Sequence, residues 1–321
     1  MTPGRRATVG AAAGAAVAWT AIMLLRLFAG GAVGMGDQGD SRRLLCQLGV
    51  RSTAPFNADR AAYLYPTWVA HHWYGEACSG DGSGGVFRSS ELWLLSMAKH
   101  LTPILGLPGA LDLRALGIIC SVLVGVCVGL WVLALPGGIV TRVGVASLVG
   151  LLVADGAFAD TLISPYSEPA ELIGILALCP VLLLLWRRGH TTWPTLAAVA
   201  GVATVVISAK TQAAALAPAI VLAVLWLPAG RTGTGPEPAA GRARKALLAR
   251  LPALFVTLAV GGAAAYFVAT ASPGLTEQNV YASVFGEILV HSPDPAGDLR
   301  SLGADPHLVT AIGSNPESSN A

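Results

Sequence analysis

What this chain lacks is charge. Asp, Glu, Lys and Arg make up 12% of its 321 residues, about half the share of a soluble domain. With so few charges and 54% apolar residues, the apolar side chains could not be hidden in one water-soluble core, and the chain needs lipid as its solvent. Stretches of Lys and Arg interleaved with aromatics are missing, which removes nucleic acid as a partner. No CxxC pair occurs among the five cysteines, Cys46, Cys78, Cys120, Cys127 and Cys179. Without metal-ligand spacing no cofactor is expected, and a divalent metal is compatible with the sequence but not indicated by it. The apolar run 9–30 behind Arg5 and Arg6 is longer than the usual core of a signal peptide and no typical cleavage site is obvious after it, so it reads as a signal anchor.

What is present is a series of apolar runs long enough to cross about 30 Å of hydrocarbon. They cover residues 9–30, 115–135, 139–158, 169–186, 193–209, 211–228 and 251–271. A single helix over 193–228 would be about 54 Å long at 1.5 Å per residue, so that stretch reads as a hairpin with Lys210, Thr211 and Gln212 at its tip. The expected architecture is all-α, a polytopic transmembrane helical bundle of about seven spans. Residues 1–271 form the transmembrane domain, which includes a long outer loop at 31–113. Residues 272–321 form a polar extracytoplasmic tail.

Basic residues set the orientation. With a cytoplasmic N-terminus, the inner segments carry Arg5, Arg6, Arg142, Arg187, Arg188, Arg231, Arg242, Arg244, Lys245 and Arg250 against one acid, Glu237. Each short inner loop obeys the positive-inside bias, and the inverted topology violates it at each of them. The expected location is therefore the cell membrane, multi-pass, with the N-terminus in the cytoplasm and membrane lipid as a partner. In the outer loop, residues 90–105 place Leu92, Leu95, Met97, Leu101 and Leu105 near helical spacing, which suits a helix lying in the interface with Trp93 at headgroup level.

Ionisable groups close to membrane depth are costly unless paired or solvated, so they are candidates for function. Asp37 and Asp40 follow the first span. Asp160, Tyr166 and Glu168 lie in the turn DTLISPYSEPAE, and Lys210 and Gln212 crown the hairpin. Arg26 sits one turn from the end of the first span. A carboxylate in such a place can act as a general base, and a lysine or arginine can hold a phosphate. Each also has an ordinary account. Asp37 and Asp40 fit a solvated loop, Asp160 a juxtamembrane charge, Glu168 an acid at a helix start, and Lys210 a side chain snorkelling to the interface. The pair His71-His72 lacks a third ligand at metal spacing. Cys46 and Cys78 share the outer loop, and a disulfide between them is expected in an oxidising compartment.

The turn DGAFADTLISPYSEPAELIGIL resembles the D-x-x-Y-x-x-Y-x-N-S-F-Y-x-E turn of a family of bacterial polytopic glycan-biosynthesis hexose transferases. Those proteins resemble the GT-C glycosyltransferases. SAKTQ at residues 208–212 is similar to that family's S-K-x-Q turn, and residues 279–305 are similar to its N-x-y-x-S-V-F…L-x-x-L-G region. The matches touch five or six short stretches spread over most of the chain. Where the family has Asn-Ser-Phe this chain has Ile163-Ser164-Pro165, and the first aromatic after the aspartate is missing. The chain also ends soon after the third match, where such proteins continue with further helices, and the resemblance is expected to be to a shortened or degenerate member. The resemblance implies transfer of a sugar from a polyprenyl-phosphate donor to a cell-envelope glycan or lipid on the outer face. It implies Asp160, Tyr166, Glu168, Lys210 and Gln212 as functional positions, with Asp37 or Asp40 as base and Lys210 at the donor phosphate. The alternatives are a non-catalytic membrane subunit and a lipid-glycan transporter. A transporter calls for midplane charges and repeated halves, which this sequence does not present.

Overall fold

The computed structural model describes residues 3–30, 40–52, 67–70, 88–106, 110–228, 239–271 and 280–313. They fall into two compact units, one of Met1–Trp73 with Arg88–Thr270 and one of Tyr74–Phe87 with Ala271–Ala321.

The first unit is a bundle of mostly apolar helices. In chain order they are α1 (Pro3–Phe28), α2 (Asp40–Gln47), α3 (Glu91–Leu101), α4 (Leu113–Ala134), α5 (Ile139–Ala154), α6 (Glu168–Arg188), α7 (Trp193–Ile207), α8 (Ala217–Trp226) and α9 (Ala239–Ala269). Among the described residues, four helical stretches are long and apolar enough to cross a membrane: Gly4–Phe28, Leu113–Ala134, Glu168–Arg188 and Arg250–Ala269. A fifth becomes possible if α5 and the helical segment after it are one bent span. The protein is a multi-pass membrane protein.

Three of the expected spans come out differently. The run 139–158 is not one straight helix, because it breaks after Ala154 and bends by 68°. Asp155 adopts an extended backbone there and its carboxylate accepts from the Ala157 N–H, which starts a new helical segment at Gly156. The hairpin arms are short. The 15 residues of α7 reach about 22 Å at 1.5 Å per residue, less than the hydrocarbon thickness. The hairpin itself forms where expected, with Lys210 extended between α7 and the tight turn Thr211–Leu216.

Lipid offers helices no hydrophobic drive to associate, so close van der Waals approach has to supply the packing. Gly125 and Gly129 of α4 give that approach to α1, since a Cβ at Gly125 would lie 2.5 Å from the Ala16 carbonyl oxygen and one at Gly129 2.9 Å from that of Ala12. Gly150 of α5 admits the Trp19 ring, whose Nε1 donates to Ser147 Oγ at 3.2 Å. Leu196, Val199 and Ala203 of α7 pack with Ile220 and Val224 of α8 and with Val256 and Val260 of α9. Outward-facing Val140, Leu152, Leu222 and Leu258 stay exposed, as lipid-facing residues do. Trp186, Trp193 and Trp226 are exposed at one end of the bundle and Trp93 and Tyr266 at the other, the places where aromatic belts form.

The segment between α1 and α4 also contains a small antiparallel sheet that hydropathy does not announce. Its strands β1 (Val50–Ser52), β2 (Thr67–Ala70) and β3 (Ala110–Asp112) run in the order β1-β2-β3, with Arg51 opposite Val69 and Trp68 opposite Leu111. The expected interfacial helix is α3, which buries Glu91, Leu95 and Ala98 and exposes Trp93 and Met97.

In the second unit, Tyr281 stacks on Phe285 with ring centroids 4.7 Å apart. Asp294 accepts from the Gly297 N–H to start α10 (Pro295–Ser301). Leu289 and Leu299 are its buried apolar residues among those described. The described part of the expected tail, residues 280–313, forms short helical segments.

Candidate functional site

The two ends of the bundle differ in chemistry. At one end the arginines serve helix C-termini. Arg187 Nη1 donates to the Ala134 and Leu135 carbonyls at 2.6 Å each, and Arg250 Nη1 donates to Leu225 and Leu227 at 2.7 and 3.0 Å. Those carbonyls lack helical partners and carry the negative end of the dipole, so a guanidinium satisfies both needs. The acids gather at the opposite end, close to the start of α6 and the tip of the α7–α8 hairpin.

There Lys210 Nζ donates to Glu168 Oε1 at 2.9 Å and stands 3.5 Å from Glu171 Oε2. Two residues brought forward by the sequence, 42 positions apart, are thus paired. The Lys210 side chain is 26% exposed, held by carboxylates rather than extended toward lipid headgroups. Burial alone would lower its pKa. The hydrogen bond from Glu168 and the charges of Glu168 and Glu171 outweigh that and raise it above the ordinary 10.5.

Sequence reasoning missed Glu91. This first residue of α3 is fully buried, and its Oε2 accepts from the Ala170 N–H at 2.9 Å. Ala170 lies in the first turn of α6, whose own Ser167 makes no side-chain cap. An acid at the start of α3 therefore caps a different helix, 79 positions away in sequence. Its Oε1 is buried with no hydrogen-bond partner among the described residues. Burial pushes the Glu91 carboxyl well above the usual carboxylate range, the Ala170 bond pulls it partly back, and the Glu168 charge adds to the rise.

The residues before Glu91 bind the hairpin. Ser89 Oγ donates to the Ala209 carbonyl at 2.5 Å and Ser90 Oγ to that of Val205 at 2.7 Å, while the Ser90 N–H donates to the Ser208 carbonyl at 2.9 Å. Arg88 sits over the Tyr266 ring of α9, 5.0 Å from its centroid.

The chain as a whole matches the family model described as the YfdI N-terminal transmembrane domain, over residues 5–315. The chain belongs to that family. No curated protein and no solved structure matches it. In this YfdI N-terminal transmembrane domain the matched stretch takes in both compact units, and the polar end of the bundle lies wholly inside it.

The other candidate residues are distributed around this domain. Tyr166 is buried and Gln212 exposed beside the hairpin tip. Asp160 opens a tight turn, Asp160–Ile163, with Oδ1 buried and without a hydrogen-bond partner among the described residues. Arg26 Nε donates to the Ala154 carbonyl at 3.1 Å, at the break that follows α5. It is a helix-end contact like those of Arg187 and Arg250. Asp40 heads α2, with its side chain outside the described residues, and Asp37 lies outside them altogether. Cys46 lies in α2 with its side chain likewise not described, and Cys78 is outside the described residues. Among the described residues, no group of three or more His, Cys, Asp or Glu is placed to hold a metal ion.

Proposed function

We propose that this membrane domain transfers a sugar from a polyprenyl-phosphate donor to a cell-envelope glycan or lipid, with the Lys210 end facing away from the cytoplasm. The observation that carries the reading is the Lys210–Glu168–Glu171 cluster at one end of a bundle whose opposite end is served by arginines. An ammonium has three N–H donors; Lys210 gives one to Glu168 and stands 3.5 Å from Glu171, so it has a donor to offer a phosphate oxygen. The likeness of SAKTQ and of the DTLISPYSEPAE turn to the hexose transferases supports the same assignment. The arginine-rich inner loops support a cytoplasmic N-terminus.

In this reading the acceptor hydroxyl attacks the anomeric carbon as the bond from that carbon to the phosphate oxygen breaks. Asp37 or Asp40 takes the hydroxyl proton, and the leaving polyprenyl phosphate carries its charge to Lys210. Asp160 and Glu168 shape the site around them, with Tyr166, Gln212 and Arg26 at its margin.

The second reading is a non-catalytic membrane subunit. It is favoured by one observation, that the Lys210 charge is already met by two carboxylates. Purified protein offered a panel of polyprenyl-phosphate sugars separates the two. Release of polyprenyl phosphate by the wild type, and its loss in Lys210→Met, supports the transferase. A protein that turns over no donor in the panel leaves the subunit reading in its place.

A further inference from the structure

Glu168 and Lys210 sit on separate elements, the start of α6 and the tip of the α7–α8 hairpin. Neither element alone fixes the distance between them. One short stretch touches both. Glu91 holds α6 through the Ala170 N–H, two residues beyond Glu168. Ser89 and Ser90 hold the hairpin through the carbonyls of Val205, Ser208 and Ala209, the last directly before Lys210. Arg88 ties the same stretch to α9 through the Tyr266 hydroxyl and ring. Ser89 Oγ also accepts from the Glu91 N–H at 3.1 Å, which joins the two halves of the stretch.

We propose that residues 88–91 form a clasp that holds Lys210 against Glu168, and that Glu91 is its positioning residue. A buried carboxyl on a first-turn N–H is a short, directional contact, and α3 carries it rigidly because Leu95 and Ala98 are buried on the same face. The charge felt at Glu91 is that of Glu168 of α6, and Glu168 is the partner of Lys210, so loss of the clasp is felt first in how Lys210 is paired. The importance of the clasp for catalysis rests on the transferase reading, but its existence does not.

The test is the acylation rate of Lys210 in the full-length protein, read by mass spectrometry with a water-soluble amine reagent. Lys99 is the internal reference, since it lies on α3 and donates to the Leu48 carbonyl at 2.7 Å. In Glu91→Ala we expect Lys210 to react severalfold faster, because the Glu168 and Glu171 carboxylates raise its pKa and an amine that loses them holds more of its neutral, reactive form. Lys99 should not change. Glu91→Gln keeps an oxygen for the Ala170 N–H and should protect Lys210 as the wild type does. If Glu91→Ala does not fold, the double variant Ser89→Ala/Ser90→Ala carries the test from the hairpin side, with the same acceleration expected. Unchanged Lys210 reactivity overturns the proposal, as does a Gln variant as reactive as the Ala variant. So does an equal rise at Lys99, which marks general loosening. None of these outcomes depends on turnover, so a protein that fails in the donor panel can still possess the clasp.

Discussion

The packing of α1 on α4 gives a prediction whose size can be worked out from distances. A Cβ at Gly125 would lie 2.1 Å from Thr20 Oγ1, 2.5 Å from the Ala16 carbonyl oxygen and 2.9 Å from the Thr20 nitrogen. The hydroxyl can rotate away, but the other two atoms are α1 backbone and move only if the helices separate. Overpacking of this kind costs about 1–3 kcal/mol. The same change in open space, as at Gly144 where nothing lies within 4 Å, recovers up to about 1 kcal/mol of helix propensity. The propensity gain is common to both changes, so Gly125→Ala should be less stable than Gly144→Ala by about 1–3 kcal/mol. For a chain of this size that corresponds to about 2–5 °C between their melting temperatures. The assay is helical circular dichroism against temperature in one detergent. Two variants that melt together, or Gly125→Ala melting above Gly144→Ala, would refute the close approach of α1 and α4.

Three further outcomes follow from individual side chains. The Glu91 carboxyl is raised in the folded protein, so the stability it confers is complete below its ordinary 4.5 and is lost as pH rises through the folded value. Glu91→Gln should melt at a temperature that varies less with pH above 4.5 than the wild type does, and parallel curves would sink the assignment. Arg187→Met and Arg250→Met should each cost about 1 kcal/mol through the loss of a cation from a helix C-terminus, seen as a lowered melting temperature. No shift in either would mean that these arginines serve orientation alone. Cysteines placed at His190 and Gln212, both exposed, should label from the cytoplasmic and non-cytoplasmic sides respectively. The reverse pattern would invert the proposed topology.

The long features of this fold were legible because apolar runs report burial in lipid directly. The α4 run, the hairpin tip at Lys210 and the exposed Trp93 of α3 follow from hydropathy and spacing. The break after Ala154 was overlooked although it had a local signal, the Asp155-Gly156 pair, which marks turns even inside an apolar run. The sheet had little signal, since each of its strands spans only a few residues and two of its pairings join segments far apart in the chain. Glu91 could not be read at all. In sequence it is an acid in the first turn of its own helix, a sufficient account by itself. Its actual partner is the first turn of α6, and only the folded bundle brings the two together. The pairing of Lys210 with Glu168 was legible in part, as two charges at the same end of the spans, while their separation of 2.9 Å depends on how the hairpin packs on α6.

The central claim is that the Lys210 end of the bundle receives a lipid-linked phosphate, and photo-crosslinking tests it most directly. A polyprenyl-phosphate sugar with a diazirine near the phosphate would be irradiated with the purified protein and the adducts mapped by mass spectrometry. The account predicts adducts on residues 88–93, 166–171 and 208–212, and their loss in Lys210→Met. Adducts concentrated at the opposite end around Arg187 and Arg250, or unchanged by Lys210→Met, would contradict it.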